Sequence, residues 1–508
     1  MNFFSNVLKN ASQSVLSGLI GAVGSFAASV IVARLLGVEG TATVGMALWL
    51  VFLTTILADL GIGGTVARFA AECPHDNEER AARHLAGYAL GILVRAIAGG
   101  LLLTAAILWL YWGDIVSKYA SSPAEGLVFC ALVLVCFVVH MLYAFTFHFL
   151  RGIRAFGTIS LYATIGSVLQ IGGAIAGSLL YGANGAFAAY ILFSLPTLLG
   201  LARVKLSRPT EPLPDKPTMH RYALSFYIAT LFSPLLWVRA DTLIVDQAIG
   251  AEAVGLFTAA TTIAALLLQV CQMITNALLP NIVRAARDSE GGFEAASRTA
   301  VRLALSLLLP ACLIAAAAAP EAIGTVFGPA FAGGQATAAI LCLAGLGSAL
   351  TLVVASVLSA ADGNRALARN GAAGAVVTVV AGSALALSFG LIGAALGRLV
   401  AQAFMGLLNV RSANRLVERL VTWNWIVRIM LAGLIGAGVT QLIGWWLGSG
   451  LLAILASLAG GGLVYLTAAA MLLPLGTRER EQLLPILHRL PSSLRSPASW
   501  LLRAGGRS

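Results

Sequence analysis

The chain has 508 residues, 59% of them hydrophobic and 10% charged, with a formal net charge of +11. A water-soluble protein of this size exposes far more charge, and a mean hydropathy of +0.90 leaves no stretch for a soluble domain. The composition excludes a soluble enzyme and places the chain in a bilayer.

Crossing a bilayer takes roughly 20 apolar residues of helix, and fourteen segments qualify. Spans one to six, at 11–33, 42–66, 85–110, 124–150, 158–180 and 184–203, form an N-lobe over residues 1–203. The connection 204–221 contains KLSRPTEPLPDKPTMHR, whose four prolines and mixed charge mark an irregular linker. Spans seven to twelve, at 222–249, 253–283, 300–319, 335–361, 370–389 and 391–411, form a C-lobe over residues 222–420. Two more spans, 424–447 and 449–473, occupy residues 421–475, and a polar tail runs over 476–508. Backbone polar groups in lipid must be satisfied within the segment, so these are helices and the fold class is all-α.

Charge sets the orientation. Assigning the N-terminus and every second connection to one side gives that side 27 of the 32 basic residues. The other side holds Arg34 and Lys118, and Arg95, Arg239 and Arg398 fall inside spans. The positive-inside rule makes the rich side cytoplasmic, so both termini are expected there. Topology and anionic headgroups account for the basic charge without nucleic acid.

The halves look related. Gly37 and Glu39, after span one, match Gly250 and Glu252, after span seven. A six-span repeat in the same orientation is a parallel repeat, an architecture that places a substrate path between lobes.

Charge inside lipid costs on the order of 2.5–3.5 kcal/mol per residue on the lenient insertion scale. The intramembrane charges Asp59, Arg95, Arg239, Asp241, Asp246 and Arg398 are therefore the first candidates. One reading makes Arg95, Arg239 and Arg398 a cationic cavity for a phosphate, since the guanidinium fork donates in pairs and stays charged. The other makes them internal ion pairs, such as Arg239 with Asp246. Thr258, Thr262, Gln269, Gln272 and Asn276 share one face of span eight. They suit sugar hydroxyls in a wet cavity, or equally polar contacts that hold helices together. His140 and His148 in span four suit a proton relay or a packed helix contact. The six cysteines form no close pair and read as small apolar residues rather than a metal site. No P-loop, metalloprotease motif or nucleophile elbow occurs, so no catalytic residue or cofactor is expected.

The stretch VIVARLLGVEGTATVGMALWLVFLTTILADLGIGGTVARF (30–69) resembles the opening of Wzx-type oligosaccharide flippases. These are polysaccharide transporters of the MOP exporter superfamily, together with lipid II flippases and MATE drug exporters. Gly37, Glu39, Asp59, Gly61, Gly63, Arg68 and Phe69 stand at the family's motif positions, and the second-half pattern is similar from Asp241 to Ala260. APEAIGTVFGPAF (319–331) is similar to the family's ninth outer loop.

The resemblance implies two six-helix lobes around a cavity, with two extra C-terminal spans. It implies alternating access that carries an undecaprenyl-pyrophosphate-linked oligosaccharide across the bacterial inner membrane for surface polysaccharide synthesis, coupled to Na+ or H+. A polysaccharide polymerase and chain-length machinery are the implied partners. Asp241 matches a sodium-site aspartate of lipid II flippases, but their partner acid is missing, because 370–389 contains no carboxylate. The alternatives are a cation-coupled multidrug exporter, whose cargo favours carboxylates, and a polysaccharide polymerase or ligase, which needs larger outer loops.

Overall fold

The computed structural model describes residues 2–71, 78–204, 215–237, 240–288, 292–361 and 363–472. No strand occurs among the described residues. Fourteen α-helices follow one another among them: α1 (Asn2–Ala58), α2 (Ile62–Ala71), α3 (Glu78–Leu110), α4 (Trp112–Tyr119), α5 (Pro123–Gly152), α6 (Phe156–Leu198), α7 (Lys216–Trp237), α8 (Ala240–Ala248), α9 (Ala251–Asp288), α10 (Gly292–Ala322), α11 (Gln335–Ala360), α12 (Asn364–Ala413), α13 (Trp423–Leu447) and α14 (Leu451–Leu472). Ten of them, α1, α3, α5, α6 and α9 to α14, are long and apolar enough to cross a membrane. The chain is a multi-pass membrane protein.

Three helices each take up two expected spans. α1 turns at Gly37 (φ 66°, ψ −160°), α6 at Gly182 (φ 58°, ψ −141°) and α12 at Gly390 (φ 59°, ψ −136°). A side chain strains the left-handed region, so one glycine suffices where a longer connection was expected around Gly37 and Gly182, and at Gly390, which alone was expected between its two spans. α6 and α12 fold back on themselves. A Cβ at Gly177 would lie 2.2 Å from the Gly185 carbonyl, and one at Gly397 would lie 2.6 Å from Gly382 Cα. Asn370 Nδ2 donates to Asn409 Oδ1 at 2.9 Å across the two arms of α12. The expected seventh span is divided between α7 and α8, and residues 238–239 between them lie outside the described residues.

The turns keep the register of the sequence repeat. Gly250 is also left-handed (φ 123°) and precedes α9 as Gly37 precedes the second arm of α1. Gly182 and Gly390 share nearly the same backbone angles.

Span two differs from its expected bounds. The helix stops at Ala58 and resumes at Ile62, because Leu60 (φ 50°) and Gly61 (φ 75°) are both left-handed. The expected outer connection near 113–123 contains a further short helix, α4.

The chain divides into two compact units, Met1–Thr262 and Ile263–Ser508. In the first, Phe137, Phe145 and Phe149 of α5 pack with Leu85 and Leu93 of α3 and with Phe69 of α2. In the second, Leu305 and Leu309 of α10, Val353 and Val357 of α11 and Ile429 of α13 form the core. Lipid tails are as apolar as these side chains, so close van der Waals fit is what favours the packed arrangement. The last two helices meet each other at a glycine contact, where a Cβ at Gly436 would lie 2.7 Å from the Gly461 carbonyl. The Tyr465 hydroxyl then donates to the Ser306 carbonyl of α10.

Candidate functional site

The motif Asp59-Leu60-Gly61-Ile62-Gly63-Gly64 builds a knuckle between α1 and α2. Asp59 is half-buried, and its Oδ2 accepts from the Gly61 amide at 3.2 Å, closing the turn. The glycines clear space for other helices. A Cβ at Gly61 would lie 2.2 Å from the Ala223 carbonyl of α7, one at Gly64 would lie 2.3 Å from Phe226, and one at Gly63 would lie 2.7 Å from His148 of α5. The Tyr227 hydroxyl donates to the Leu57 carbonyl at 2.9 Å, and the Arg68 guanidinium sits 4.4 Å from the Tyr222 ring centre. These motif residues therefore hold α7 against the end of α1.

The acids of α8 occupy different surroundings. Asp241 is buried in the first turn, where the helix dipole favours a carboxylate. Asp246 is also buried, and its carboxylate is held by α4. Lys118 Nζ lies 3.2 Å from Oδ2, the Tyr119 hydroxyl donates to Oδ1 at 2.7 Å, and Gln247 Nε2 donates to Oδ2 at 2.9 Å. Burial, and then the hydrogen bond to Asp246, push the Tyr119 phenol above its ordinary value, so the hydroxyl keeps its proton and remains the donor. Arg239 lies outside the described residues, and Asp246 has its counter-charge from Lys118.

The polar face of α9 serves two ends differently. Thr258 is buried against Gly45, and Thr262 lies 3.4 Å from the Ser29 hydroxyl, so both join α9 to α1. Gln269 is half-buried and Gln272 exposed, while the side chain of Asn276 lies outside the described residues.

Arg398 and Gln402 stand one turn apart on α12, and both are buried. The backbone there is in close contact with α11, since a Cβ at Gly347 would lie 2.4 Å from the Gln402 carbonyl carbon. α12 carries four arginines and no acidic residue along its 50 residues.

Arg95 takes a different position, on the exposed face of α3 midway along the 30-residue span Ala81–Leu110. Its Nε donates to the Gly91 carbonyl at 3.2 Å.

His140 and His148 belong to an aromatic run. Phe52 meets His140 edge-on with ring centres 5.1 Å apart, Tyr143 stacks between His140 and Phe147, and Phe147 meets His148 edge-on at 5.9 Å. Both histidines are packing partners in this arrangement.

The described candidates lie in the turn after α1 and on α3 and α8 in the first unit, and on α9 and α12 in the second. No group of three or more metal-ligating side chains occurs among the described residues. The sequence reading missed the pairing of Lys118 and Tyr119 with Asp246. The available signal was Lys118 itself, one of two basic residues on the side poor in them.

Comparison with known proteins bears on the whole arrangement. A family model described as "Polysaccharide biosynthesis protein" matches residues 7–286, more than half of the chain. No curated protein matches the sequence. Among solved structures, the lipid II flippase MurJ in an inward closed conformation is similar with a TM-score of 0.68 and 14% identity, over 91% of this chain and 98% of that one. An inward-facing multidrug resistance MATE transporter of the MOP superfamily is similar with a TM-score of 0.63 and 16% identity, over 81% of this chain and 98% of that one. A MOP superfamily transporter from Pyrococcus furiosus, described as having a binding pocket of reverse polarity, gives a TM-score of 0.61 and 14% identity over 82% and 96%. At these identities the likeness is one of fold. The chain belongs to the polysaccharide biosynthesis protein family and has the fold of MOP superfamily transporters.

Proposed function

We propose that this protein is a flippase that moves an undecaprenyl-pyrophosphate-linked oligosaccharide from the cytoplasmic to the outer leaflet of the bacterial inner membrane. Family membership supports a polysaccharide cargo, and the MurJ-like fold suits a lipid-linked one. The observation that carries the reading is the family match over residues 7–286, taken with the likeness to a lipid II flippase over 91% of the chain. The guanidinium fork of Arg398, buried on α12, suits a pyrophosphate, which favours an anionic cargo over the cationic drugs of a multidrug exporter. In this reading Arg398 and Arg239 hold the pyrophosphate, while Gln402, Gln269, Gln272 and Asn276 meet sugar hydroxyls. Asp241 is the residue proposed for coupling to Na+ or H+, and both termini face the cytoplasm.

The test is deletion of the protein in its own cell, followed by extraction of lipid-linked saccharides. Accumulation of complete repeat units on the inner leaflet, reversed by the wild-type chain, supports the proposal. Normal surface glycan in the deletion strain, or accumulation of polymerised material instead, overturns it.

A further inference from the structure

Tyr143 and His140 carry polar atoms that the fold leaves unused. Both lie well inside the span Pro123–Gly152. Their rings stack with centres 5.7 Å apart, Phe147 continues the row, and Phe193 of α6 meets Tyr143 at 5.8 Å. Neither the Tyr143 hydroxyl nor the His140 imidazole makes a hydrogen bond among the described residues. Packing alone would be served by phenylalanine and leucine. A hydroxyl and an imidazole without partners are costly in a membrane-spanning segment, where lipid offers no replacement bond.

This face is not turned to lipid. Spacings of three and four put His140, Tyr143 and Phe147 on one side of α5. The exposed positions Leu127, Ala131 and Val135 of the same helix are centred more than a third of a turn away, at about 100° per residue. Phe52 of α1 and Phe193 of α6 flank the row, and all five side chains are half-buried.

One turn along α1 the border becomes polar. A Cβ at Gly21 would lie 3.7 Å from Phe193, and one turn further on the Ser25 hydroxyl donates to Gln170 Oε1 at 3.3 Å. Gln170 is 1% exposed, and its Nε2 has no hydrogen-bond partner among the described residues. An unused amide donor, a free hydroxyl and an imidazole thus border one row of rings, all within the first unit.

That mixture fits a sugar. The C–H groups of a pyranose are weakly positive and rest against the negative faces of aromatic rings, while the hydroxyls around its rim need polar partners. A prenyl tail would pack on the rings and leave every polar atom unsatisfied. We propose that the His140–Tyr143–Phe147 row, with Phe52, Phe193 and Gln170, is a saccharide subsite. It packs a pyranose ring of the oligosaccharide against the row, with the Tyr143 hydroxyl and Gln170 Nε2 bonding sugar hydroxyls. The subsite rests on the flippase reading above and gives the saccharide a site of its own.

The experiment titrates the full-length protein in detergent with two lipids and reads bound lipid by native mass spectrometry. One is the lipid-linked repeat unit extracted from the deletion strain, and the other is undecaprenyl pyrophosphate alone. The wild type should bind the repeat unit at least about tenfold more tightly, a difference of 1.4 kcal/mol. Tyr143→Leu should erase that difference and leave binding of undecaprenyl pyrophosphate unchanged. Tyr143→Phe keeps the ring and should lose about fivefold for the repeat unit, one neutral hydrogen bond. Equal affinities in the wild type overturn the subsite alone, as does a difference that survives Tyr143→Leu. Equal weakening of both lipids by Tyr143→Leu assigns the row to the prenyl chain and also overturns it. If Tyr143→Leu does not fold, Tyr143→Phe decides by the same comparison, and an unchanged difference overturns the subsite. A deletion strain that yields no such lipid, or a wild-type protein that binds neither, removes the flippase reading and the subsite with it.

Discussion

The Tyr119 hydroxyl and the Asp246 carboxylate meet at 2.7 Å although 127 residues separate them. With Lys118 at 3.2 Å, the contact fastens the short helix α4 to the end of α8. Asp246→Ala should lower stability by about 1–3 kcal/mol, the cost of leaving buried polar groups without a partner. Lys118 is partly exposed, so Lys118→Ala should cost less. Thermal unfolding of the purified protein in detergent reads both, and a larger loss for Lys118→Ala would show that the carboxylate is not the centre of the contact.

The same contact gives a pH dependence of known sign. The Tyr119 phenol is held above its ordinary value of 10.0, so the folded state resists its ionisation. The stabilisation is complete below that pH and is lost as pH rises beyond it. Melting curves between pH 8 and 11 should fall more steeply for the wild type than for Tyr119→Phe. Parallel curves would contradict the assignment.

Glycine substitutions should rank by what surrounds them. Gly37→Ala meets nothing within 4 Å and bears only the left-handed strain, about 1–2 kcal/mol. Gly61→Ala adds a clash with the Ala223 carbonyl and should cost clearly more. Expression level and melting temperature of the two variants, measured side by side, test the order.

Transport should depend on the guanidinium groups in the proposed cargo path. Arg398→Ala and Arg239→Ala should each lower glycan export by about ten- to a hundredfold, corresponding to the loss of a charged hydrogen bond of about 1.5–3 kcal/mol. Protein level should stay normal, and Arg398→Lys should recover part of the export because it restores charge without the fork. Unchanged export in both alanine variants and in the double variant would remove the cationic path.

Much of the fold was legible in the sequence because lipid enforces a simple rule: long apolar runs become helices. The pairing of Gly37 with Gly250 was legible too, and both residues are left-handed at corresponding breaks. The economy of the turns was legible only in part: the expected spans left Gly390 alone between them, but three residues around Gly182 and eight around Gly37, where one glycine turns the chain. The site was less legible still. Sequence alone places Arg95 and Arg398 inside spans, but only packing separates an exposed face of α3 from a buried position on α12. For Asp246 the sequence offered Arg239, seven positions away in the expected seventh span and outside the described residues, as one reading; the Lys118 contact was not legible, because it comes from a distant short helix that periodicity does not connect to it.

The single-glycine reversals at Gly182 and Gly390 also bear on biogenesis. Arms joined by one residue have no tether that would let the first settle in lipid while the second waits in water. Each such pair must enter the bilayer together as a preformed hairpin, and a protease or antibody working from the side of those bends would find almost nothing to hold.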